Sequence, residues 1–256
     1  MMKFFGKQAK QGKGATWGKD AAGRDPWAAC PAASPSPAQD YTELVLIVDK
    51  SGSMAGMESD TIGGINALLH KHRKGGVPTL VTVVLFDHEA QVLVNRQDIA
   101  QAADLTEDDY QPGGCTALLD AVGGAISHVR QVQGYQPAGF QAANLIFVIT
   151  TDGYENASRT YDYDQVKRLI SATEEEGWSY LFLGANIDAA EEAGKIGIGA
   201  EYAANYVPDA AGSAVMYEAV CAATADMSAA PRRAARMALA GSSWRDSVDR
   251  DHAARG

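Results

Sequence analysis

Residues 45–53 read VLIVDKSGS, a short apolar run of the buried-strand type that leads at once into an acidic residue and two hydroxyl side chains at alternate positions. Hard cations such as Mg²⁺ take carboxylate, hydroxyl and water oxygens at about 2.0–2.1 Å. Asp49, Ser51 and Ser53 offer three such oxygens. We expect Gly52 to let the serine side chains turn toward one point, because glycine adopts backbone angles that strain other residues. An isolated Asp-x-Ser-x-Ser is usually an ordinary turn, so this segment predicts a cation site only in combination with others.

Two other segments supply that combination. Residues 113–120 read GGCTALLD, a glycine-rich loop that carries Thr116 just before a helical apolar stripe. Residues 145–153 read LIFVITTDG, a second buried strand that ends in Asp152 and a glycine. Thr116 alone could cap its helix, and Asp152 alone could begin a turn. Together with the first segment they give two carboxylates and three hydroxyls.

The apolar pattern alternates between the strand period and the helix period along the chain. Strands are predicted at residues 44–48, 80–86, 90–94, 145–150, 180–183 and 203–207. Helical stripes fall between most of them, at Ile62, Ile65 and Leu69, at Leu118, Val122, Ile126 and Val129, at Val166, Leu169 and Ile170, and at Val215, Met216, Ala219 and Val220. The link from residue 86 to residue 90 is too short for a helix, so it predicts a hairpin.

This order predicts an α/β fold, a doubly wound Rossmann-like three-layer sandwich with a mainly parallel sheet of about six strands and one antiparallel edge strand. Ligands in such sheets bind beyond the carboxyl ends of the strands, near the point where the strand order reverses. Asp49 and Asp152 follow two such strand ends, and the loop that carries Thr116 can reach between them.

With these residues in place, the chain resembles the von Willebrand factor type A domain over residues 42–228. The metal-ion-dependent adhesion site of that family is an Asp-x-Ser-x-Ser followed by a distant Thr and a distant Asp, and here those positions are Asp49, Ser51, Ser53, Thr116 and Asp152. The resemblance implies that the serines and either the threonine or one aspartate touch the metal, while the remaining carboxylates act through water. Which of Asp49, Thr116 and Asp152 binds directly stays open. The resemblance also implies a bacterial, intracellular type of protein.

Neutral hydroxyls in place of charged ligands leave the cation with residual positive charge and an open coordination position. In the family a partner's acidic side chain often fills that position. The sequence therefore predicts a noncatalytic, metal-dependent protein-protein interaction module, an adaptor or assembly component whose cation binds an Asp or Glu of a protein partner. Mg²⁺ is the default cation, with Mn²⁺ and Ca²⁺ as alternatives. A metal-bound water could instead be activated for hydrolysis, but no general base or substrate-positioning set is evident.

Two alternatives belong to other classes. A haloacid-dehalogenase-like phosphatase also places an acidic nucleophile after its first strand, but that family needs a second Asp two residues later, where this chain has Ser51. The chain could also be a structural component of a larger assembly that acts through its tails.

Composition divides the 256 residues into an N-terminal tail over 1–40, a domain over 41–228 and a C-terminal extension over 229–256 that forms a short helix or a loose segment. The tail is rich in Gly, Lys, Ala, Ser and Pro, and is expected to be flexible or ordered by a partner, with its aromatic residues Phe4, Phe5, Trp17 and Trp27 as possible docking anchors. Residues 41–228 hold 10 Lys and Arg against 26 Asp and Glu, a net charge of about −16. This acidity argues against nucleic-acid binding.

The cysteines Cys30, Cys115 and Cys221 have neither zinc-site spacing nor an even number for a disulfide framework. We expect Cys115 to be a small buried thiol. The start of the chain has a basic residue but no following apolar segment, and no run of apolar residues is long enough to span a membrane. A cytoplasmic location is expected.

Overall fold

The computed structural model describes Trp27 and residues 40–137, 139–240 and 242–256. Six strands run in chain order, at Thr42–Asp49 (β1), Thr79–Phe86 (β2), Ala90–Asp98 (β3), Asn144–Thr151 (β4), Ser179–Gly184 (β5) and Ala203–Asn205 (β6). The helices are Glu58–Gly75 (α1), Leu118–Tyr135 (α2), Tyr163–Glu175 (α3), Ala189–Lys195 (α4), Ala210–Ala229 (α5), Ala235–Leu239 (α6) and Asp246–Arg255 (α7), with short 3₁₀ turns at Gly52–Met54 and Ala200–Tyr202.

The strands form one sheet in the order β3-β2-β1-β4-β5-β6. All neighbours are parallel except β2 and β3, which form the antiparallel hairpin at one edge. The strand order reverses between β1 and β4, the two strands that Asp49 and Asp152 follow. The predicted class, with about six strands and one antiparallel edge strand, is therefore confirmed.

Helices cover both faces of the sheet. Every residue of β1, β2, β4 and β5 is buried, as expected for strands packed on two sides. Helix α1 packs against α5, and α2 packs against α3. No helix in the described part of the chain is long and apolar enough to cross a membrane.

The far end of the sheet from the predicted site contains a buried ion pair. Arg96 Nε donates to Glu43 Oε1 at 2.7 Å, and both side chains are almost completely buried. Gln133 Nε2 donates to the other Glu43 oxygen and, at 3.2 Å, to the Tyr41 hydroxyl. Burial raises the pKa of Glu43 despite the neighbouring guanidinium. Arg96 sits at φ +50°, where irregular pairing between β2 and β3 turns its side chain into this cluster.

Trp27 and the helices after residue 229 also contact the domain. After residue 229 the helices α6 and α7 pack on α5, with Leu239 and Val248 buried. At the other end, Trp27 is buried and stacks on the His128 ring of α2, with centroids 3.7 Å apart. The other predicted anchors of the tail, Phe4, Phe5 and Trp17, lie outside the described residues, and so does Cys30.

Candidate metal centre

Three loops meet at the carboxyl ends of β1 and β4. These strands are neighbours in parallel register, so Asp49 at the end of β1 and Asp152 after β4 leave the sheet side by side. The loop before α2 is tied over them by backbone hydrogen bonds. Gly52 N donates to Gly114 O at 3.2 Å, and Gly113 N donates to Lys50 O at 2.9 Å. Residues far apart in the sequence are thereby brought to one edge of the sheet, as predicted from the strand order.

A chain of hydrogen bonds joins the Asp-x-Ser-x-Ser segment to Asp152. Asp49 Oδ1 accepts from Ser51 N at 2.7 Å. The Ser51 and Ser53 hydroxyl oxygens lie 3.2 Å apart, and Ser53 Oγ donates to Asp152 Oδ1 at 2.6 Å. The two carboxylates and two hydroxyls predicted from sequence therefore form one connected cluster.

Thr116 and Ser53 approach Gly153 from the same side. A Cβ atom added at Gly153 would lie 3.3 Å from Thr116 Oγ1 and 3.8 Å from Ser53 Oγ, so both hydroxyls line this glycine. Thr116 is held there because its backbone N–H donates to Asn156 Oδ1 at 2.9 Å. The structure thus brings together all five residues predicted from sequence, and their role as metal ligands stays a prediction.

The carboxylates carry an unbalanced charge. Asp49 and Asp152 are buried, and burial raises the pKa of each above the ordinary aspartate value. Asp152 Oδ2 is buried and accepts no hydrogen bond from the described residues. A buried acceptor without a partner is costly, and more so when it is charged. Ser53, by contrast, is exposed, so the cluster opens to solvent on one side.

This donor set fits a hard divalent cation. It offers carboxylate and hydroxyl oxygens, one of them an unpaired carboxylate oxygen, and an open side. Among the described residues, no three His, Cys, Asp or Glu side chains are grouped to hold a metal ion. The fit therefore depends on the serine and threonine hydroxyls, which are neutral ligands.

Several supporting residues were not assigned from sequence. Thr151 Oγ1 donates to Asp49 Oδ2 at 2.6 Å, and the Tyr110 hydroxyl donates to Asp49 O at 2.6 Å. Glu155 accepts from Leu119 N at 2.9 Å and so fixes the loop after Asp152 to the start of α2. Thr151 was predictable as part of the site, because it is the second threonine of the Thr-Thr-Asp-Gly sequence and directly precedes Asp152. Tyr110 lies 61 positions from Asp49 in a loop without a motif, so the sequence carries no signal for it.

Two expectations about this region are wrong. Gly52 does not take a positive φ. The chain turns there through the 3₁₀ segment Gly52–Met54, and the left-handed glycines nearby are Gly56 and Gly114. Cys115 is exposed rather than buried, because Thr116 is the residue of this loop that points inward.

Solved structures resemble this fold at low sequence identity. The pilus adhesin SpaC of Lactobacillus rhamnosus GG, in its open conformation, matches 77% of this chain and 31% of its own length, with a TM-score of 0.58 and 11% identity. Proximal thread matrix protein 1 from the mussel byssus, in a structure described as having a zinc-occupied MIDAS motif, matches 73% of this chain and 46% of its own, with a TM-score of 0.53 and 15% identity. A von Willebrand factor type A protein from Catenulispora acidiphila matches 73% of this chain and 43% of its own, with a TM-score of 0.52 and 18% identity.

These likenesses show the fold, an α/β sandwich of the von Willebrand factor type A kind. This chain spans less than half the length of each of the three proteins. No protein-family model and no curated protein matches the sequence.

Proposed function

We propose that this protein is a noncatalytic interaction module that binds an acidic side chain of a protein partner through a divalent cation. Ser51, Ser53 and Thr116 would hold the cation together with Asp49 and Asp152, some of them through water. The observation that carries this proposal is the buried, unpaired Oδ2 of Asp152, which lies in a cluster of hydroxyls that is open to solvent.

The chain's own residues explain why such a cation would accept another ligand. Thr151 Oγ1 and Ser51 N already donate to the Asp49 carboxylate, which fixes its orientation and leaves it less free to neutralise a metal. The hydroxyls add no charge. When bound, the cation would supply a Lewis-acidic centre for a carboxylate at a surface that otherwise repels acids, since residues 41–228 carry a net charge of about −16.

Mg²⁺ is the cation we propose, because all the candidate ligands are hard oxygens. Mn²⁺ and Ca²⁺ suit the same ligands. Proximal thread matrix protein 1 from the mussel byssus is described with zinc in its MIDAS motif, so Zn²⁺ is a further cation to test at this cluster.

No structural observation favours the phosphatase alternative. Position 51 is a serine whose hydroxyl lies against Ser53, so the cluster lacks the second acid two residues after Asp49 that such an enzyme uses. For action through the tails, the structure shows only that Trp27 is buried and stacks on the His128 ring of the domain itself. Docking of the N-terminal tail to a partner therefore stays a secondary proposal.

A bacterial cytoplasmic location belongs to the same proposal. It rests on the family resemblance and on the sequence composition. Cys115 and Cys221 are free thiols, which suits a reducing compartment.

Capture of partners from lysate with and without EDTA tests the proposal, with the whole chain immobilised and bound proteins identified by mass spectrometry. Ser53→Ala removes a candidate ligand at an exposed position, and Ser59→Ala makes the same change at another exposed serine on the adjacent helix. We expect a partner that is captured by wild type and Ser59→Ala in Mg²⁺ and is lost both in EDTA and with Ser53→Ala. Partners that survive EDTA and Ser53→Ala alike would show that the cluster is not the binding surface.

A further inference from the structure

A cavity of about 380 Å³ lies at the opposite edge of the sheet from the metal centre. It adjoins the amino ends of β4 and β5, since Leu145 is the second residue of β4 and Trp178 directly precedes β5. Helices α2 and α3 end beside it, and Arg233, from the segment between α5 and α6, completes the lining. Sites for small ligands occupy about 300–1,000 Å³. The cavity is therefore large enough for a small molecule and separate from the proposed cation centre.

Arg233 reaches the cavity from a turn position that favours glycine. The turn runs from Pro231 to Ala234, with Ala234 N donating to Pro231 O at 2.9 Å, and its third residue, Arg233, has φ +60°. Glycine or asparagine is usual at such a position, because a Cβ atom is strained in the left-handed region. Residues held in strained backbone conformations cluster at functional sites, so the arginine side chain is a candidate for a role beyond the turn.

The turn is fixed to the wall of the cavity. Arg233 N donates to Ala143 O at 2.8 Å, and Arg232 Nη1 donates to Gln141 O at 3.1 Å. On the other side, Gly177 has φ +91°, and a Cβ atom added there would lie 2.8 Å from Arg233 Cβ. Glycine at position 177 therefore lets the Arg233 side chain pack this closely. The root of that side chain is held in place before any ligand arrives, which lowers the entropy cost of binding.

The guanidinium of Arg233 is a positive charge that no neighbouring carboxylate balances. Three other arginines around the cavity each pair with one carboxylate, Arg130 with Glu176, Arg232 with Asp40 and Arg236 with Glu174. Arg233 forms no ion pair and donates no side-chain hydrogen bond to another described residue. Its side chain is exposed, so the guanidinium is accessible to a ligand.

The ends of α2 and α3 do not use this guanidinium as a cap. Arginine side chains near a helix C-terminus often bond its last carbonyls. Here Gln133 O accepts from Gln141 Nε2 at 3.2 Å, and Glu174 O accepts from Gly177 N at 2.9 Å. The loops that follow the two helices therefore supply these donors, and Arg233 is left for the cavity.

Trp178 and Leu145 give the cavity an apolar wall. Both side chains are largely buried, and each contributes to the lining. The Trp178 ring stacks on Phe147 with centroids 5.4 Å apart, which fixes its position. An apolar wall beside one unbalanced cation suits a ligand with an apolar body and one anionic group.

We propose that this cavity binds a small organic monocarboxylate, whose carboxylate meets the Arg233 guanidinium and whose apolar body lies against Trp178 and Leu145. A guanidinium binds a carboxylate through two parallel N–H···O bonds. Arg130 is a second donor, because exposed ion pairs such as the one with Glu176 contribute little to stability and open easily.

The charge of the ligand follows from the charges of the protein. One unbalanced cation matches a single negative charge, whereas a phosphate ester carries about −2. The domain over residues 41–228 already has a net charge of about −16, which disfavours the second charge. The site does not involve the proposed cation bridge and is independent of it.

Titration of the ¹⁵N-labelled whole chain with phenylacetate, followed by NMR chemical shifts, tests the inference. Phenylacetamide serves as the neutral analogue and phenyl phosphate as the dianion, and EDTA is present throughout, so that no cation at the metal centre binds the carboxylate. We expect phenylacetate to bind at least about threefold more tightly than either analogue. No binding of phenylacetate at millimolar concentration, or equal or tighter binding of either analogue, would overturn the inference and leave the cation bridge standing.

Two arginine variants locate the carboxylate. Arg233→Gly removes the cation and relieves the strained backbone, so we expect affinity for phenylacetate to fall at least about threefold while the melting temperature stays at or above that of wild type. Arg250→Gln removes one positive charge from an exposed position on α7, outside the lining, and should leave the affinity unchanged. Wild-type affinity in Arg233→Gly, or an equal loss in Arg250→Gln, would overturn the inference. A lower melting temperature in Arg233→Gly would overturn the argument from strain.

A matched pair of glutamate variants tests the contribution of Arg130. Glu176→Gln removes the carboxylate that pairs with Arg130, and Glu175→Gln makes the same change at the neighbouring exposed acid, outside the lining. We expect Glu176→Gln to bind phenylacetate about twofold to fivefold more tightly than wild type, and Glu175→Gln to bind it equally well. Equal tightening in the two variants, or none in Glu176→Gln, would show that Arg130 does not meet the carboxylate.

Discussion

Replacing Asp152 with Asn should make the folded chain more stable than wild type when no cation is present, and less stable than wild type in saturating Mg²⁺. Without a cation, the folded chain holds a buried carboxylate with one unpaired oxygen, and burial already raises the pKa of that group. Asn keeps the acceptor for Ser53 and removes the charge. An unsatisfied buried polar group costs about 1–3 kcal/mol, and the Asn amide retains part of that cost, so we expect the variant to gain about 1 kcal/mol in EDTA.

With a cation, the order should invert. Mg²⁺ at a hundred times its dissociation constant stabilises a folded protein by about 2.7 kcal/mol, and the variant lacks a candidate ligand for it. In a chain of this size about 1 kcal/mol corresponds to roughly 2–4 °C in Tm. We therefore expect Asp152→Asn to melt about 2–4 °C above wild type in EDTA, and wild type to gain about 5–11 °C in saturating Mg²⁺ while the variant gains far less.

Thermal unfolding of both proteins, followed by scanning fluorimetry in EDTA and in rising Mg²⁺, measures this inversion. Asp164→Asn, an exposed acid in the first turn of α3, serves as the control for general charge effects, and NaCl at matched ionic strength controls for screening. Equal Mg²⁺-dependent gains in wild type, Asp152→Asn and Asp164→Asn would refute the reasoning, because the cation would then act on the surface as a whole.

Three further predictions concern the stability of the fold, measured by urea unfolding. Burial lowers the pKa of His72 to about 4, so the folded state keeps this side chain neutral, and the free energy of unfolding should fall by up to about 3 kcal/mol as pH drops from 6.5 to 4. The variant His72→Gln can still bond Thr224 and should lose less stability over that range. An equal loss in wild type and variant would contradict this role of His72. Arg96→Ala should cost about 3–5 kcal/mol because it leaves the Glu43 charge buried without its partner, and a cost below about 1 kcal/mol would show that the pair is unimportant. Thr151→Val should cost about 1–3 kcal/mol in EDTA by removing the donor to Asp49, and an unchanged unfolding midpoint would contradict that role.

The sequence was informative about the fold because apolar runs mark the strands. All six predicted strands are present. Strands β1 and β3 extend beyond their predicted ends and include the charged residues Glu43 and Arg96, whereas β6 ends two residues earlier than predicted, at Asn205. The strand predictions missed Glu43 and Arg96 because they were based on apolar residues. Both side chains are charged, and they can be buried within strands because they pair with each other across the sheet. Helix α4 was missed because Ala189–Lys195 is short and rich in Ala and Glu, with no apolar stripe.

The sequence predicted those site residues that follow the ends of strands or belong to a recognisable motif. Asp49 and Asp152 meet because β1 and β4 are neighbours, which follows from the alternation of strands and helices. Tyr110 and Asn205 act through backbone carbonyls and amides of distant loops, and such contacts depend on the folded positions of those loops.

Binding of Mn²⁺ to the whole chain, followed by electron paramagnetic resonance of the free ion, tests the central claim most directly. We expect one saturable site that Mg²⁺ displaces and that is lost when Ser51 and Ser53 are both replaced by Ala, with the Ser59→Ala control unaffected. A chain that binds no Mn²⁺ at millimolar concentration, or that binds it equally well without the two serine hydroxyls, would contradict the assignment of this cluster as a cation centre.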